Sequence, residues 1–509
     1  MRVVRKVTLA LAVSAAIPGS ACAQAQSGLS GDALTIYSAA RAGAIPAELY
    51  RHGGTGQNIP GYAVVRHERE LKLDRGRNTI RFTDVAALID PTTVAFESLT
   101  DSQGTRVVEQ NFQFDLVSSA KLLEKYIDRS ISVDQVRGNS VESYAGTLLS
   151  TSGGLVLRRT DGTIQMLPHN AGVTLPELPG GLITRPTLVW DLNANRAGVH
   201  KSRVSYHTAG ITWWADYNIT YAEGASANAC RLDVGAWVSI LNQSGASYRD
   251  AKLKLVAGDV QRARPPGRLE RGLADASRAV AMEARPAGFE EKAFFEYHLY
   301  TLGRETTIPN NSTKQIELFP AAHGVPCEKT LVYYGLTQSY GYGGSPMTDR
   351  AYGVQSNKKV DVYLTFKNAP ENNMGMPLPA GRMRVSKLDD ADKTLEFIGE
   401  DTIDHTARNE KVLVKLGSAF DVVGERRQVN FTVDTSRKTM SEEIEVTLRN
   451  QKKVPVSVIV KENLYRWVNW SIVQKTHDYQ KEDARTIHVP VRVAAGGTTT
   501  VRYTVQYTW

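Results

Sequence analysis

The chain has 509 residues, 42% of them hydrophobic and 22% charged, with a formal net charge of +8. That balance excludes a disordered or low-complexity protein, and the length suits two to four domains with real cores. The basic excess is mild for this length and fits tolerance of anionic envelope surfaces rather than nucleic acid as a partner.

Met1 to Lys6 carries Arg2, Arg5 and Lys6 with no acidic residue. Val7 to Ile17 is apolar but shorter than the roughly 20 residues a helical span requires. Pro18 and Gly19 break it, and Ala21-Cys22-Ala23 supplies a small-x-small cleavage pattern before Gln24. Residues 1–23 therefore read as a secretory signal peptide, and its removal leaves a net charge of +5. Acylation of Cys22 is the other reading, against which stands Gly19 where a lipoprotein signal places a bulky aliphatic residue. The expected location is periplasmic or otherwise exported, with outer-membrane association left open. No later stretch reads as a transmembrane helix. After cleavage Cys230 and Cys327 are an even pair, expected to form one disulfide in an oxidising compartment.

Residues 24–115 are expected to be an N-terminal β region. Leu116 to Asp128 has Leu116, Ala120, Leu123 and Ile127 on one helical face, with Asp115 as N-cap. Short strands follow at Ile131–Val133, Tyr144–Ser150, Gly154–Arg159 and Thr163–Leu167, so that 116–180 reads as a helix plus a small Sm- or SH3-like barrel insert. Leu175 to Pro186, rich in Pro and Gly, reads as the linker to a C-terminal region over 181–509. That region is dominated by period-two alternation, which places successive side chains on opposite sheet faces. Leu232, Val234, Ala236, Val238 and Ile240 make one such face, and Val360, Val362, Leu364 and Phe366 another. Ile444–Leu448 and Val454–Val460 read as a hairpin, and Ile487–Val493 turns at Gly496-Gly497 into the last strand. The expected class is mainly β: an antiparallel, immunoglobulin-like β-sandwich region, in two sub-domains if the loop-rich 340–359 is a boundary. Gln261 to Glu291, rich in Arg, Ala and Pro, reads as a further loop.

The residues supply few catalytic patterns. There is no Gly-x-Ser-x-Gly elbow, no phosphate loop and no His-Glu-x-x-His helix; His67-Glu68 lacks the second histidine. The ten histidines have no metal-ligand spacing, and no cofactor or metal is expected. Asp389-Asp390-Ala391-Asp392 reads as a hairpin turn rather than a cation loop, because position 394 is Thr. The best acid/base candidates are Asp401, Asp404 and His405, which could shift each other's pKa if gathered. Trp213 and Trp214 are adjacent in a strand and must point to opposite faces, while Trp237 opposes the Leu232/Val234/Val238 face. These three tryptophans are the candidate binding residues, for stacking on sugar rings. Val501, Tyr503, Val505, Tyr507 and Trp509 alternate up to an aromatic terminus, as in the last strand of an outer-membrane barrel. The closing strand of a sandwich has the same pattern and is the preferred reading.

Several blocks carry a family resemblance: Trp214-Ala215-Asp216-Tyr217, Val238 to Gly245, Tyr248 to Gly258, Met376 to Val385 and the final Tyr503 to Trp509, with Ile89 to Val94 upstream. Through them the chain resembles the exported bacterial family known as DUF4139, a domain of unknown function, whose longer members are called mucoidy-inhibitor-like. The resemblance implies a β-sandwich and export, and supplies no catalytic residues. Longer members carry a coiled coil where this chain has the small barrel. The expected function is a non-catalytic envelope protein for interaction with an envelope protein or a glycan. The alternative is an envelope hydrolase or lyase using loop carboxylates.

Overall fold

The computed structural model describes residues 23–24, 31–37, 45, 56, 58–137, 140–168, 172–258, 260, 289–336 and 344–509. Residues 1–22 of the expected signal peptide, most of the 261–291 loop and part of 340–359 lie outside these. The fold is mainly β, as the alternation predicts, and its sheets are open rather than closed barrels. No helix among the described residues is long and apolar enough to cross a membrane. Two compact units are present, one formed by 1–32 with 65–208, the other by 33–64 with 209–509.

In the first unit Thr187–Ala194 lies antiparallel between Gly76–Phe82 and Thr105–Gln113, and Gly198–Thr208 lies between Tyr62–Leu73 and Ile89–Ser98. Strands beyond residue 181 thus pair with N-terminal ones, and the first compact unit runs on to Thr208. Trp190, fully buried against Phe82 and Phe96, anchors this core. The helix spans only Ser119–Lys125, and its N-cap is Ser118, whose hydroxyl accepts from Lys121 N. Asp115 is not the cap. Leu116 and Val117 are held to Ile183 by backbone pairing, which delays the helix, and the Asp115 carboxylate pairs instead with Lys121 Nζ at 2.6 Å. The two connections at 115–117 and 183 run side by side, as an insertion requires. Between them Ser130–Arg137, Ser140–Ser150, Leu155–Arg158, Ile164–Leu167 and Gly172–Thr174 form one antiparallel sheet over Tyr126, Val133, Leu148 and Leu157. Gly172–Thr174 closes one flank but does not pair with Ile164–Leu167, so the expected barrel is an open five-stranded sheet.

In the second unit Ile211–Glu223, Ala229–Asn242, Ser312–Tyr334, Lys359–Lys367 and Lys411–Asp434 run antiparallel in that order. Gly381–Leu388 adds in parallel to Ile211–Glu223, and Leu395–Ile403 follows it. The sheet then curls until the Asp401 carboxylate accepts the Lys415 N–H at 2.7 Å. The far end of Ser312–Tyr334 pairs with Val456–Asn463, while Lys411–Asp434 pairs with Thr439–Asn450. Thr439–Asn450 and Val456–Asn463 are therefore not a hairpin: the chain arches from one sheet to the facing one at 451–455. The reason is packing, since Ile444, Val446 and Leu448 meet Val458 and Val460 across a dry core when the strands oppose one another. The arch at Gly496-Gly497 repeats this step, leading from Thr486–Val493 into Thr498–Thr508. Val501, Tyr503, Val505 and Tyr507 face that same core, so the last strand closes a sandwich.

Candidate functional site

Period two settles which side chains of Ile211–Glu223 meet. Trp213, Ala215, Tyr217 and Ile219 turn inward, and Trp213 packs edge-on against Tyr300 with ring centroids 6.2 Å apart. Trp214 and Asp216 turn to the opposite face, as the adjacent tryptophans predict. On the neighbouring strand Trp237 stands opposite Asp216, and Ser239 opposite Trp214. The next strand places Glu317 beside Trp237, and Gly381–Leu388 places Arg382 beside Asp216, with Thr402 beyond it. Five strands thus contribute one transverse row: Glu317, Trp237, Asp216, Arg382 and Thr402.

Asp216 is the centre of this row. The residue is only 6% exposed. Oδ2 accepts from the Trp214 indole N–H at 2.7 Å and from the Ser239 hydroxyl at 2.9 Å, and Oδ1 lies 3.3 Å from Arg384 Nη1. Gln315 in turn donates to Ser239 Oγ. Burying a carboxylate is costly unless it is paired and hydrogen-bonded, and here both conditions hold. Arg384 and Arg382 also lie within reach of the Glu400 carboxylate, at 3.6 and 3.9 Å. Trp214 is covered by Ile45, Ile59 and Leu241. The outcome is a fixed polar floor with one large apolar ring standing proud: Trp237, 38% exposed, flanked by the exposed Glu317.

The three candidate tryptophans do not share a surface. Trp213 belongs to the core, Trp214 supports Asp216, and Trp237 is the one a ligand can reach. Glu317 and Arg382 escape sequence reasoning because they come from strands distant in the chain, and nothing local announces that those strands lie on either side of the Asp216 and Trp237 pair. Asp216 itself lies inside the Trp214-Ala215-Asp216-Tyr217 block, in phase with Trp214.

The acid/base candidates are placed differently. Asp401 spends its carboxylate on backbone, accepting from Thr402 N at 2.8 Å and Lys415 N at 2.7 Å. His405 Nδ1 accepts from Ala380 N at 3.1 Å, and Asp404 is exposed in the turn. Asp389 and Asp392 cap the expected hairpin turn through Ala391 N and Thr394 N, with Lys393 left-handed at φ 62°. His67 is buried between the Asp32 carboxylate, 2.7 Å from Nδ1, and the Tyr206 hydroxyl, 3.0 Å from Nε2. Among the described residues no group of three His, Cys, Asp or Glu side chains could hold a metal ion. Cys230 and Cys327 form the expected disulfide, directly opposite one another on adjacent strands.

Comparison with protein-family models, with curated proteins and with solved structures gave no match in any of the three.

Proposed function

We propose that this chain is a non-catalytic exported protein of the bacterial envelope that recognises a glycan through the row centred on Asp216 and Trp237. The observation that carries the reading is the half-exposed Trp237 ring flanked on a rigid sheet by Glu317, Asp216 and the Arg382/Arg384 guanidinium groups. A pyranose ring offers an apolar C–H face that suits an indole and a rim of hydroxyls that suits carboxylate and guanidinium partners. A site on strands locked by hydrogen bonds needs little ordering when it binds. The disulfide supports export, since such bonds persist in oxidising compartments. The rival hydrolase reading depends on Asp401, Asp404 and His405; against it, both Asp401 carboxylate oxygens and His405 Nδ1 accept from backbone N–H groups, and Asp404 is exposed.

Trp237→Ala is expected to weaken binding to purified peptidoglycan fragments or lipopolysaccharide oligosaccharide by about tenfold or more, as for a central aromatic anchor. Because the ring is part-exposed, the thermal unfolding temperature is expected to move little. Titration calorimetry of wild type and variant against the same glycans decides the matter. Equal affinities, or the absence of binding to either glycan class by the wild-type chain, would sink the reading.

A further inference from the structure

A second site lies where Ser312–Tyr334 passes from the first set of paired strands to the second. Val325, Cys327, Lys329, Leu331 and Tyr333 share one face of this strand by period two, and Leu331 and Tyr333 enter the C-terminal core. Lys329 is thus a cation in an inward slot. A cavity of about 230 Å³ opens over it, walled by Tyr221, Val362, Ile398 and Leu416. Glu223 and Lys387 stand at its rim and pair with each other at 3.0 Å. The Lys329 ammonium makes no hydrogen bond or ion pair with any described residue, and the charge of Lys452 also acts on it. Three lysines therefore surround one carboxylate, and that carboxylate is already taken by Lys387.

A half-buried ammonium without a counter-charge is costly, and it is kept where something else supplies the charge. We propose that this cavity binds a compact organic anion, a carboxylate on a small apolar body, with the carboxylate on Lys329 and the body against Tyr221, Val362, Ile398 and Leu416. The apolar walls favour such a ligand over a bare inorganic anion, which would leave them uncovered. This site is independent of the Trp237 row.

The unliganded state carries a signature. Burial lowers the Lys329 pKa, and the charges of Lys452 and Lys387 lower it further against the opposing pull of Glu223. The other facing groups hold their charge states around neutrality. Hydrogen bonding to Lys387 keeps Glu223 ionised and keeps Lys387 protonated, and burial keeps Tyr221 neutral. Binding requires the protonated ammonium, so affinity is expected to fall as pH rises through the lowered Lys329 pKa, before ordinary lysines titrate.

Isothermal titration calorimetry of the full chain with benzoate and hexanoate tests this, with acetate and inorganic phosphate as probes lacking the apolar body. Benzoate or hexanoate is expected to bind, with acetate and phosphate weaker by about tenfold or more. Lys329→Met is expected to weaken the bound probe by about tenfold or more, the loss of one charge-assisted contact. The same variant should raise the unfolding temperature of the free protein, because it removes an uncompensated charge and keeps the aliphatic stem. Absence of binding by both probes, equal binding of phosphate, or unchanged affinity in the variant would each overturn the proposal. Should the variant fail to fold, the wild-type pH series stands alone: affinity that is flat from about pH 7 to about pH 10 overturns it equally.

Discussion

Replacing Arg466 with methionine is expected to destabilise the C-terminal sandwich by about 3–5 kcal/mol, the cost of leaving one member of a buried ion pair alone. Arg466 is fully buried and lies 3.0 Å from the equally buried Glu442 carboxylate. Its guanidinium also donates to the carbonyls of Met347, Asp349 and Tyr352 at 2.9, 2.7 and 3.0 Å, and stacks over Phe431. Methionine keeps the packing but takes the counter-charge from the Glu442 carboxylate and one donor from each of three carbonyl oxygens, leaving Tyr352 O to the Tyr465 hydroxyl and Asp349 O to the Tyr352 N–H. The second buried pair, Arg426 with Glu462 at 2.9 Å, fixes the same segment through Gly353 O, and the Tyr465 hydroxyl donates to Tyr352 O. Gly353 sits there at φ 72°, with the Tyr465 ring where a Cβ would be. The network thus clamps 347–353 onto the sandwich, and two measurements separate its parts. Urea denaturation of Arg466→Met, Glu442→Leu and the double variant gives the coupling energy. If charge pairing is the whole effect, the double variant recovers nearly all the loss, as when an ion pair becomes an apolar one. The three carbonyls predict partial recovery only, together with new proteolytic cleavage within 344–357. A single variant as stable as wild type would show that the clamp contributes nothing.

The clamp also shows what alternation reveals and what it hides. Glu442 precedes Ile444, Val446 and Leu448 in phase, and Glu462 follows Val458 and Val460 in phase. Arg426 follows Val422 and Gly424 in the same way. A charge in an inward slot is a readable signal of a buried pair at Glu442, Glu462 and Arg426, whereas Lys329 occupies such a slot with no ion pair among the described residues. Which acid meets which base is not readable, because it depends on how strands separated by arches face one another. The same limit explains the misread hairpin at 444–460. Period two fixes the face of each strand but not its neighbour, and a five-residue connection serves an arch as well as a turn. Opposite orientation of Trp213 and Trp214 was legible because it needs one strand only. The Glu317–Trp237–Asp216–Arg382–Thr402 row was not, because it needs the register of five strands, one pair of them parallel and joined through a long crossover. At the helix, Asp115 and Ser118 are both acceptable caps on local grounds, and pairing at Ile183 decides between them.

Replacing both Cys230 and Cys327 with serine is expected to lower stability by about 4–5 kcal/mol, less whatever strain the bond carries. This follows from the entropy of closing a loop with a sequence separation of 97 residues. The gain lies in the unfolded chain, since the folded strands already hold the two residues opposite each other, with Cα atoms 4.9 Å apart. Two consequences distinguish this account from one in which the disulfide shapes the native state. The serine variant should keep its near-ultraviolet circular dichroism and its glycan affinity, because the register of Ala229–Asn242 with Ser312–Tyr334 is set by a ladder running the length of both strands. Native wild-type protein should resist dithiothreitol and lose the bond only when denaturant opens the sheet, because Cys230 is 4% exposed. Denaturation curves of wild type with and without reductant, set beside the serine variant, test both points. Coincident curves for all three would remove the disulfide from the stability of this fold. A variant with altered dichroism before any unfolding would instead place the bond's effect in the native sheet. That result would bear on the Lys329 cavity as well, since Lys329 lies two residues beyond Cys327 on the same strand face.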